Sequence, residues 1–477
     1  MNYSEKYEMT VGLETHIELK TQSKIFCRCS TKFGDAPNTN ICPVCTGMPG
    51  TLPTLNRAAL DYAILAGLAT NCKIASLTKF DRKNYFYPDL PKAYQISQYD
   101  MPLCTDGYID VETDGEISRI GIERIHLEED AGKLVHEKDC TGIDYNRCGV
   151  PLIEVVSRPD IKSAEQARGY LQKLRCIMLY LGISDCKMNE GSLRCDVNIS
   201  VRKKGSTTLG ERCEIKNMNS FSFIVKAIQY EFDRQCELYE RGGTVLPETR
   251  RYDQATGRTE LMRTKEQAND YRYFPEPDIP PLEISIEHIS RLKEGLPILP
   301  DERKSSYIAL GIKSSSAEMI ASSKYISDYF QAVIERCSDC EGVANLLTGE
   351  VFRMLQGDDD EIRLSPDQLI CIAQMANEGI INRSTEKKLV SLLWGTDTDP
   401  RKYVTDNSLV QINDIDTLKG ICEKAIMQSQ KAVSDLRGGK LTAYKAILGK
   451  AMGLSHGNAN PVLLDQCMKD LLGTDDI

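Results

Sequence analysis

Across 477 residues, no apolar run approaches the ~18 positions a helix needs to cross a bilayer, so an embedded protein is not expected. The opening MNYSEKYEMTVGLE has no apolar central segment and is not arginine-rich, which argues against a secretory or transit signal and predicts a cytoplasmic protein. In a reducing compartment the 18 cysteines serve as metal ligands or small core residues rather than as disulfides. Positive charge is short as well. The formal balance of −10 argues against broad nonspecific binding to nucleic acid and leaves only local basic patches or shape recognition. There is no Walker G-x-x-x-x-G-K-[ST] stretch, no Rossmann glycine fingerprint and no internal repeat. What is present is a globular composition over a length that implies about two to four domains.

The first 290 residues read as strand-rich with interspersed helices. In TVGLETHIEL, Val11, Leu13, Thr15, Ile17 and Leu19 share one face, and Glu14, His16 and Glu18 share the other. LRCDVNISVRK alternates likewise, with Cys195, Val197, Ile199 and Val201 opposite Arg194, Asp196, Asn198 and Arg202. CEIKN sets Glu214 and Lys216 on a single face, while VPLIEVVS buries Glu154 in an apolar run. One helix opens at Ser163 with a capping box to Gln166 and closes at Gly182; a second spans about 221–241. From about Glu287 to Trp394 the period turns helical, GTDTDPRKYVTDNS (395–408) reads as a linker, and a small helical unit follows. Strands followed by segregated helices predict an α+β fold with an all-α C-terminal region.

SKIFCRCSTKFGDAPNTNICPVCTGMPG carries two thiol pairs, Cys27 with Cys29 and Cys42 with Cys45. Paired thiolates on tight turns suit tetrahedral zinc, and a C-x-C disulfide would be strained. No histidine or carboxylate in the stretch stands at a ligand spacing, so the expected site is closed and structural. Cys337-Ser-Asp-Cys340 has no second pair nearby and reads as core thiols.

The carboxylates form the other constellation. Glu14 and His16 share a strand face and can converge on one ion, or pair as a surface salt bridge. HLEEDAGK adds Glu128, Glu129 and Asp130, and a glutamate buried like Glu154 must be protonated, paired or metal-bound. Several polar-faced strands together suggest a floor for Mg²⁺ and polyphosphate. In Asp81–Asp100, aromatics interleave with Arg82 and Lys83, downstream of Lys79; they suit nucleobase stacking or a packed proline-rich loop. Arg250, Arg251, Arg263, Lys265 and Arg272 suit a phosphate clamp or a solvated charged loop.

The segments GLETHIELKTQSKIFCRCS, NTNICPVCTGMPGTLPTLN, KFDRKNYFYPDLPKAYQISQYD, HLEEDAGK, GVPLIEVVSRPD, EGSLRCDVNIS, EIKNMNSF and DYRYFPEPD occur in order over essentially the whole chain. They closely resemble the B subunits of the tRNA-dependent aspartyl/glutamyl amidotransferases, the GatB family. The resemblance implies a glutamine-synthetase-like antiparallel-sheet catalytic domain over 1–290 with a zinc-binding insertion. A helical domain over 291–400 and a small helical, tRNA-contacting tail over 401–477 follow. It implies an ATP-dependent carbon–nitrogen ligase. The side-chain carboxylate of Glu-tRNA(Gln) or Asp-tRNA(Asn) is phosphorylated with ATP and Mg²⁺, then amidated with ammonia derived from glutamine. By resemblance, Glu14, His16, Glu129 and Glu154 hold the Mg²⁺. Arg194, Asp196, Asn198, Glu214 and Lys216, with Lys79 and Lys83, line the nucleotide or acyl-phosphate side. Cys27, Cys29, Cys42 and Cys45 hold structural Zn²⁺.

No G-G-S-S-type amidase signature or Cys–His glutaminase set occurs, so ammonia is expected from a partner. The resemblance implies a heterotrimer completed by the family's amidase/glutaminase subunit, which releases the ammonia, together with its small third subunit. The rival expectations are a zinc-stabilised tRNA-binding scaffold without catalysis and a freestanding amide ligase for a small acid. The chain departs from the family at Asn269, where a histidine is common, and in AYKAILGKAMGLSHGNANP, which has fewer lysines. Even so, residues 431–460 hold Lys431, Arg437, Lys440, Lys445 and Lys450 against a single acid, Asp435.

Overall fold

The computed structural model describes residues 3–264, 271–355, 357 and 360–473. They fall into two compact units, Met1–Pro300 and Asp301–Ile477. Asn269 and Lys265, singled out in the sequence, lie outside the described residues.

The first unit is built on a nine-stranded sheet. Its strands are β1 (Tyr7–Glu18), β2 (Lys73–Ile74), β3 (Cys104–Thr113), β4 (Glu116–Glu129), β5 (Pro151–Ser157), β6 (Leu193–Lys203), β7 (Cys213–Lys216), β8 (Glu248–Asp253) and β9 (Arg258–Thr264). Across the sheet they run β9-β8-β7-β6-β1-β5-β4-β3-β2. Every neighbouring pair is antiparallel except β7 with β8. The alternation read from the sequence governs the packing. Val11, Leu13 and Ile17 of β1, Ile153 and Val155 of β5, and Val197 and Ile199 of β6 are wholly buried in one core.

Three helices share that core: α1 (Arg57–Ala69), α2 (Ala164–Leu181) and α3 (Phe221–Glu240). Tyr170 and Leu174 of α2 and Ile224 and Ile228 of α3 are completely enclosed there. The Ser163 hydroxyl accepts from the Gln166 amide at 3.1 Å, and the Gln166 side chain accepts from the Lys162 amide at 2.8 Å. The reciprocal cap is thus shifted one residue upstream of the expected box. Gly182 ends α2 in the left-handed region, φ 68°, where a Cβ would be strained. With helices on one face, the polar alternates of β1, β5, β6 and β7 are left on the other.

The aromatic stretch 81–100 forms most of a small separate sheet. Asp81–Asn84 pairs with Tyr94–Ser97 on one side and Phe274–Pro275 on the other.

The second unit is helical and has two apolar cores, one running from Tyr307 to Val404 and one from Leu418 to Met468. The stretch expected as a linker, 395–408, instead carries a helix, Pro400–Asp406. Asp399 caps it by accepting from the Lys402 amide, Pro400 sits in its first turn, and Val404 is buried in the first core. An Asp-Pro pair is a helix start, and the buried Pro400 and Val404 anchor so short an element. The second core joins Ile415–Gln428, Gln430–Arg437, Thr442–Leu454 and Pro461–Leu472. No described helix is long and apolar enough to cross a membrane.

Candidate functional site

Strand register assembles the site. On β1, His16 lies opposite Arg194 of β6 and Glu154 of β5; Glu154 in turn lies opposite His126 of β4. One pleat along, Glu14 faces Asp196, while Asn198 faces Glu214 of β7. Directly opposed residues in an antiparallel ladder point the same way. One face therefore carries acids and imidazoles across five adjacent strands.

Two metal-competent groups stand on this face. His16, Glu128 and Glu154 place one donor atom each within 4.8 Å of one another, and so do Glu14, Asp196 and Glu214. The His16 ring nitrogen lies 3.6 Å from Glu154 and 3.7 Å from Glu128. His126 approaches the same carboxylates from another side, at 3.3 and 3.7 Å. Burial opposes ionisation of Glu154, but His126 and His16 hold its carboxyl well below the usual range. Burial also opposes the charged form of His126, yet Glu154 and Glu128 lift its pKa to about 9.

In the second group, burial and then the neighbouring Glu154, Asp196 and Glu214 charges raise the Glu14 pKa. Asn198 donates to Glu14 at 2.9 Å, Thr249 donates to Glu214 at 3.0 Å, and the Lys216 ammonium lies 2.6 Å from Asp196 and 3.0 Å from Glu214. The sequence grouped Glu14 with His16 on one ion; the structure sorts them into neighbouring clusters.

Glu129, expected among the Mg²⁺ ligands, is not brought to either group. Its neighbour Glu128 stands there instead. Glu128 lies opposite Leu152 and so shares the face of Glu154, whereas Glu129 continues the core-facing series of Ile125 and Leu127. Only 2% exposed, Glu129 pairs with the Lys92 ammonium at 2.7 Å and accepts from the Ile96 amide at 2.9 Å. It lines a cavity with Lys24, Cys27, Cys45, Lys92 and Tyr94. The sequence carried the signal: the apolar Ile125 and Leu127 set the parity of β4, which assigns His126 and Glu128 to the polar face.

The expected substrate-side cations divide. Lys83 is held in its charged form, against burial, by Glu128, Tyr273 and Glu154; its ammonium stands 4.9 Å from the Tyr271 ring centroid. Lys79 is tied to Asp81 and Asp100, both at 2.7 Å. Arg194 donates to Asp130 at 2.7 Å. Asp130 also couples to Glu18, whose pKa burial and then Asp130 push up to about 9. Arg250 and Arg251 pair within the sheet with Glu248 and Glu260, at 2.6 and 2.8 Å.

The four thiols do converge. Cys27, Cys29, Cys42 and Cys45 place their sulfurs within 4.8 Å of one another and can hold a metal ion. The Cys42–Cys45 separation of 3.9 Å matches the edge of a tetrahedron with metal–sulfur bonds of about 2.3 Å. Chiefly through its hydrogen bond with Cys27, then the Cys42 amide and the Lys24 ammonium 3.6 Å away, the Cys45 thiol is driven down to about 4. The same hydrogen bond pushes the Cys27 thiol up, and burial raises Cys29, so a metal bound here would have to displace their protons.

Comparison with known proteins places the chain in a family. Residues 9–290 match the GatB/GatE catalytic domain, and residues 328–472 match the GatB domain. The chain is 49% identical to the aspartyl/glutamyl-tRNA(Asn/Gln) amidotransferase B subunit of Caldicellulosiruptor saccharolyticus, over 98% of this chain and 99% of that one. Its counterpart in Thermoanaerobacter pseudethanolicus is 48% identical with the same coverage, and that of Geobacter sulfurreducens is 46% identical over 98% of this chain and all of its own. Matched along nearly its full length and in both units, the chain belongs to the GatB family.

Proposed function

We propose that the chain uses ATP to activate the side-chain carboxylate of a misacylated tRNA, Glu-tRNA(Gln) or Asp-tRNA(Asn), for conversion to the amide. The observation that carries this reading is the pair of acidic clusters side by side on one sheet face. The names of the relatives supply the substrate class. The carboxylate is a poor electrophile. One of its oxygens attacks the γ-phosphorus, the bond to ADP breaks, and an acyl phosphate results. Ammonia then attacks the acyl carbon, the carbon–oxygen bond to phosphate breaks, and the nitrogen sheds a proton.

Such chemistry asks a protein mainly for positioning and charge stabilisation. His16, Glu128 and Glu154 would hold one Mg²⁺ and Glu14, Asp196 and Glu214 a second; mostly hard oxygen donors fit that ion. Bound there, the ions neutralise phosphate oxygens. Asn198 and Thr249 fix the Glu14 and Glu214 carboxylates in place. Lys216 on one side and Lys83 on the other supply positive charge for the transferring group. The four thiols would hold Zn²⁺ as a structural clamp on the loop before α1. In this reading ammonia comes from glutamine on a glutaminase partner, within a cytoplasmic heterotrimer that includes a small third protein.

The test is amidation of both misacylated tRNAs by the purified chain with ATP, Mg²⁺ and ammonium. Product should form with ammonium, and none from glutamine until the glutaminase partner is added. Glu154→Gln should lower the rate by about 10²-fold or more. A variant that amidates at nearly the normal rate at saturating Mg²⁺ would remove Glu154 from the ligands, and no product from the wild-type chain with ammonium would favour a scaffold role instead.

A further inference from the structure

His126 is the one imidazole at the floor that belongs to neither metal-competent group. It is 4% exposed, and its ring has one polar corner in use. Nε2 lies 3.3 Å from Glu154 Oε2 and 3.7 Å from Glu128 Oε2. Nδ1 is buried with no hydrogen-bond partner among the described residues. The backbone dictates this placement. His126 sits directly across the ladder from Glu154 and two residues before Glu128 on β4, so the sheet sets the ring beside both carboxylates on the same face. His16 reaches the same two carboxylates from β1 on the opposite flank.

We infer that His126 is a positioning residue: through Nε2 alone it holds Glu154 and Glu128 in the pose in which they and His16 ligate a divalent cation. The inference rests on the metal reading of the preceding section. A buried imidazole with an orphaned nitrogen is costly, since an unmet buried polar atom loses its hydration without recompense. A leucine or phenylalanine would fill the same space without that penalty, so packing alone gives no reason for histidine here. Ligating carboxylates are commonly fixed by such outer partners, whose loss weakens metal affinity by about 10–100-fold.

The asymmetry of the ring provides the test. In glutamine the amide group reaches the place of Nε2; in asparagine it reaches only the place of Nδ1, which touches nothing polar. Mn²⁺ is titrated into the full-length wild-type chain and into His126→Gln, His126→Asn and His126→Leu, and free Mn²⁺ is followed by electron paramagnetic resonance. Circular dichroism melts of each variant run alongside. Expected are dissociation constants about 10–100-fold weaker for His126→Asn and His126→Leu, and within about threefold of wild type for His126→Gln. His126→Leu should melt no lower than His126→Asn, which separates loss of positioning from loss of fold. Asparagine and glutamine variants of equal affinity would overturn the inference, as would wild-type affinity in His126→Leu. Glu154→Gln serves as the control for the metal reading itself. If wild type has no Mn²⁺ site that this variant removes, that reading falls and the inference with it; if the site exists and His126→Asn leaves it intact, only the inference falls.

Discussion

Glu128 and Glu129 adjoin in the chain and stand on opposite faces of one strand, and that parity decides what each is for. Glu128 shares a cluster with His16 and Glu154, whereas Glu129 is committed to Lys92 beneath the sheet. Glu128→Gln should therefore raise the dissociation constant for Mn²⁺ or Mg²⁺ and lower amidation by about 10²-fold. Glu129→Gln should leave metal affinity near wild type but strand the buried Lys92 ammonium. Breaking a buried pair from one side costs about 3–5 kcal/mol, read as a clear fall in melting temperature. Calorimetric titration with parallel melts checks both; a metal defect in Glu129→Gln with none in Glu128→Gln would reverse the assignment. Residue by residue, much of the site was legible in the sequence. Glu14, His16, Asp196, Asn198, Glu214 and Lys216 were placed by period-two alternation, because burial of one strand face leaves its alternates on the other. Glu129, named by resemblance, lies with Lys92 rather than with either acidic group, because resemblance names a motif, not the parity within it. The ion pairs of Lys79 were not legible, because its partners, Asp81 and Asp100, become its neighbours only once the small sheet folds.

Among the elements, the loop holding Cys27, Cys29, Cys42 and Cys45 forms no helix or strand among the described residues and is held by turns and by Ile25 and Phe26 in the core. Ser23 with Ser30 is its one isolated bridge. A bound ion would add cross-links, since structural metal binding contributes directly to folding free energy. Cys42→Ser, or removal of metal by a strong chelator, should lower solubility and melting temperature more than turnover per folded molecule. Elemental analysis should find about one zinc per chain; a thermally unaltered Cys42→Ser chain with no zinc or iron would refute the structural role. Helices were easier to read than sheet order. Ser163 and Gly182 bound α2 as expected, because caps are local chemistry. The sheet order and the parallel pairing of β7 with β8 are set by contacts far apart in sequence, which no local period encodes. The helix at Pro400–Asp406 was hidden by its polar composition, its anchors being the buried Pro400 and Val404.

At the scale of the whole molecule, an acidic chain that engages RNA must concentrate its positive charge. Lys431, Arg437, Lys440, Lys445 and Lys450 are all exposed on the last helical core, which has its own apolar interior. Deleting residues 410–477 leaves the core from Tyr307 to Val404 intact in composition. The truncated chain should show a higher KM for charged tRNA and an unchanged KM for ATP. The salt dependence of tRNA binding should flatten by about two to four phosphate contacts, each near −0.9 on a log–log plot. An unchanged tRNA KM and salt slope would reduce the tail to a structural appendage. The central claim is that the carboxylate floor serves phosphoryl transfer to the substrate's own carboxylate, and oxygen isotopes test it most directly. With the side-chain carboxylate of Glu-tRNA(Gln) labelled with ¹⁸O, each amide formed should send one labelled oxygen into inorganic phosphate, detected by mass spectrometry. Amide formed in the presence of ATP with no label in the phosphate would contradict the account.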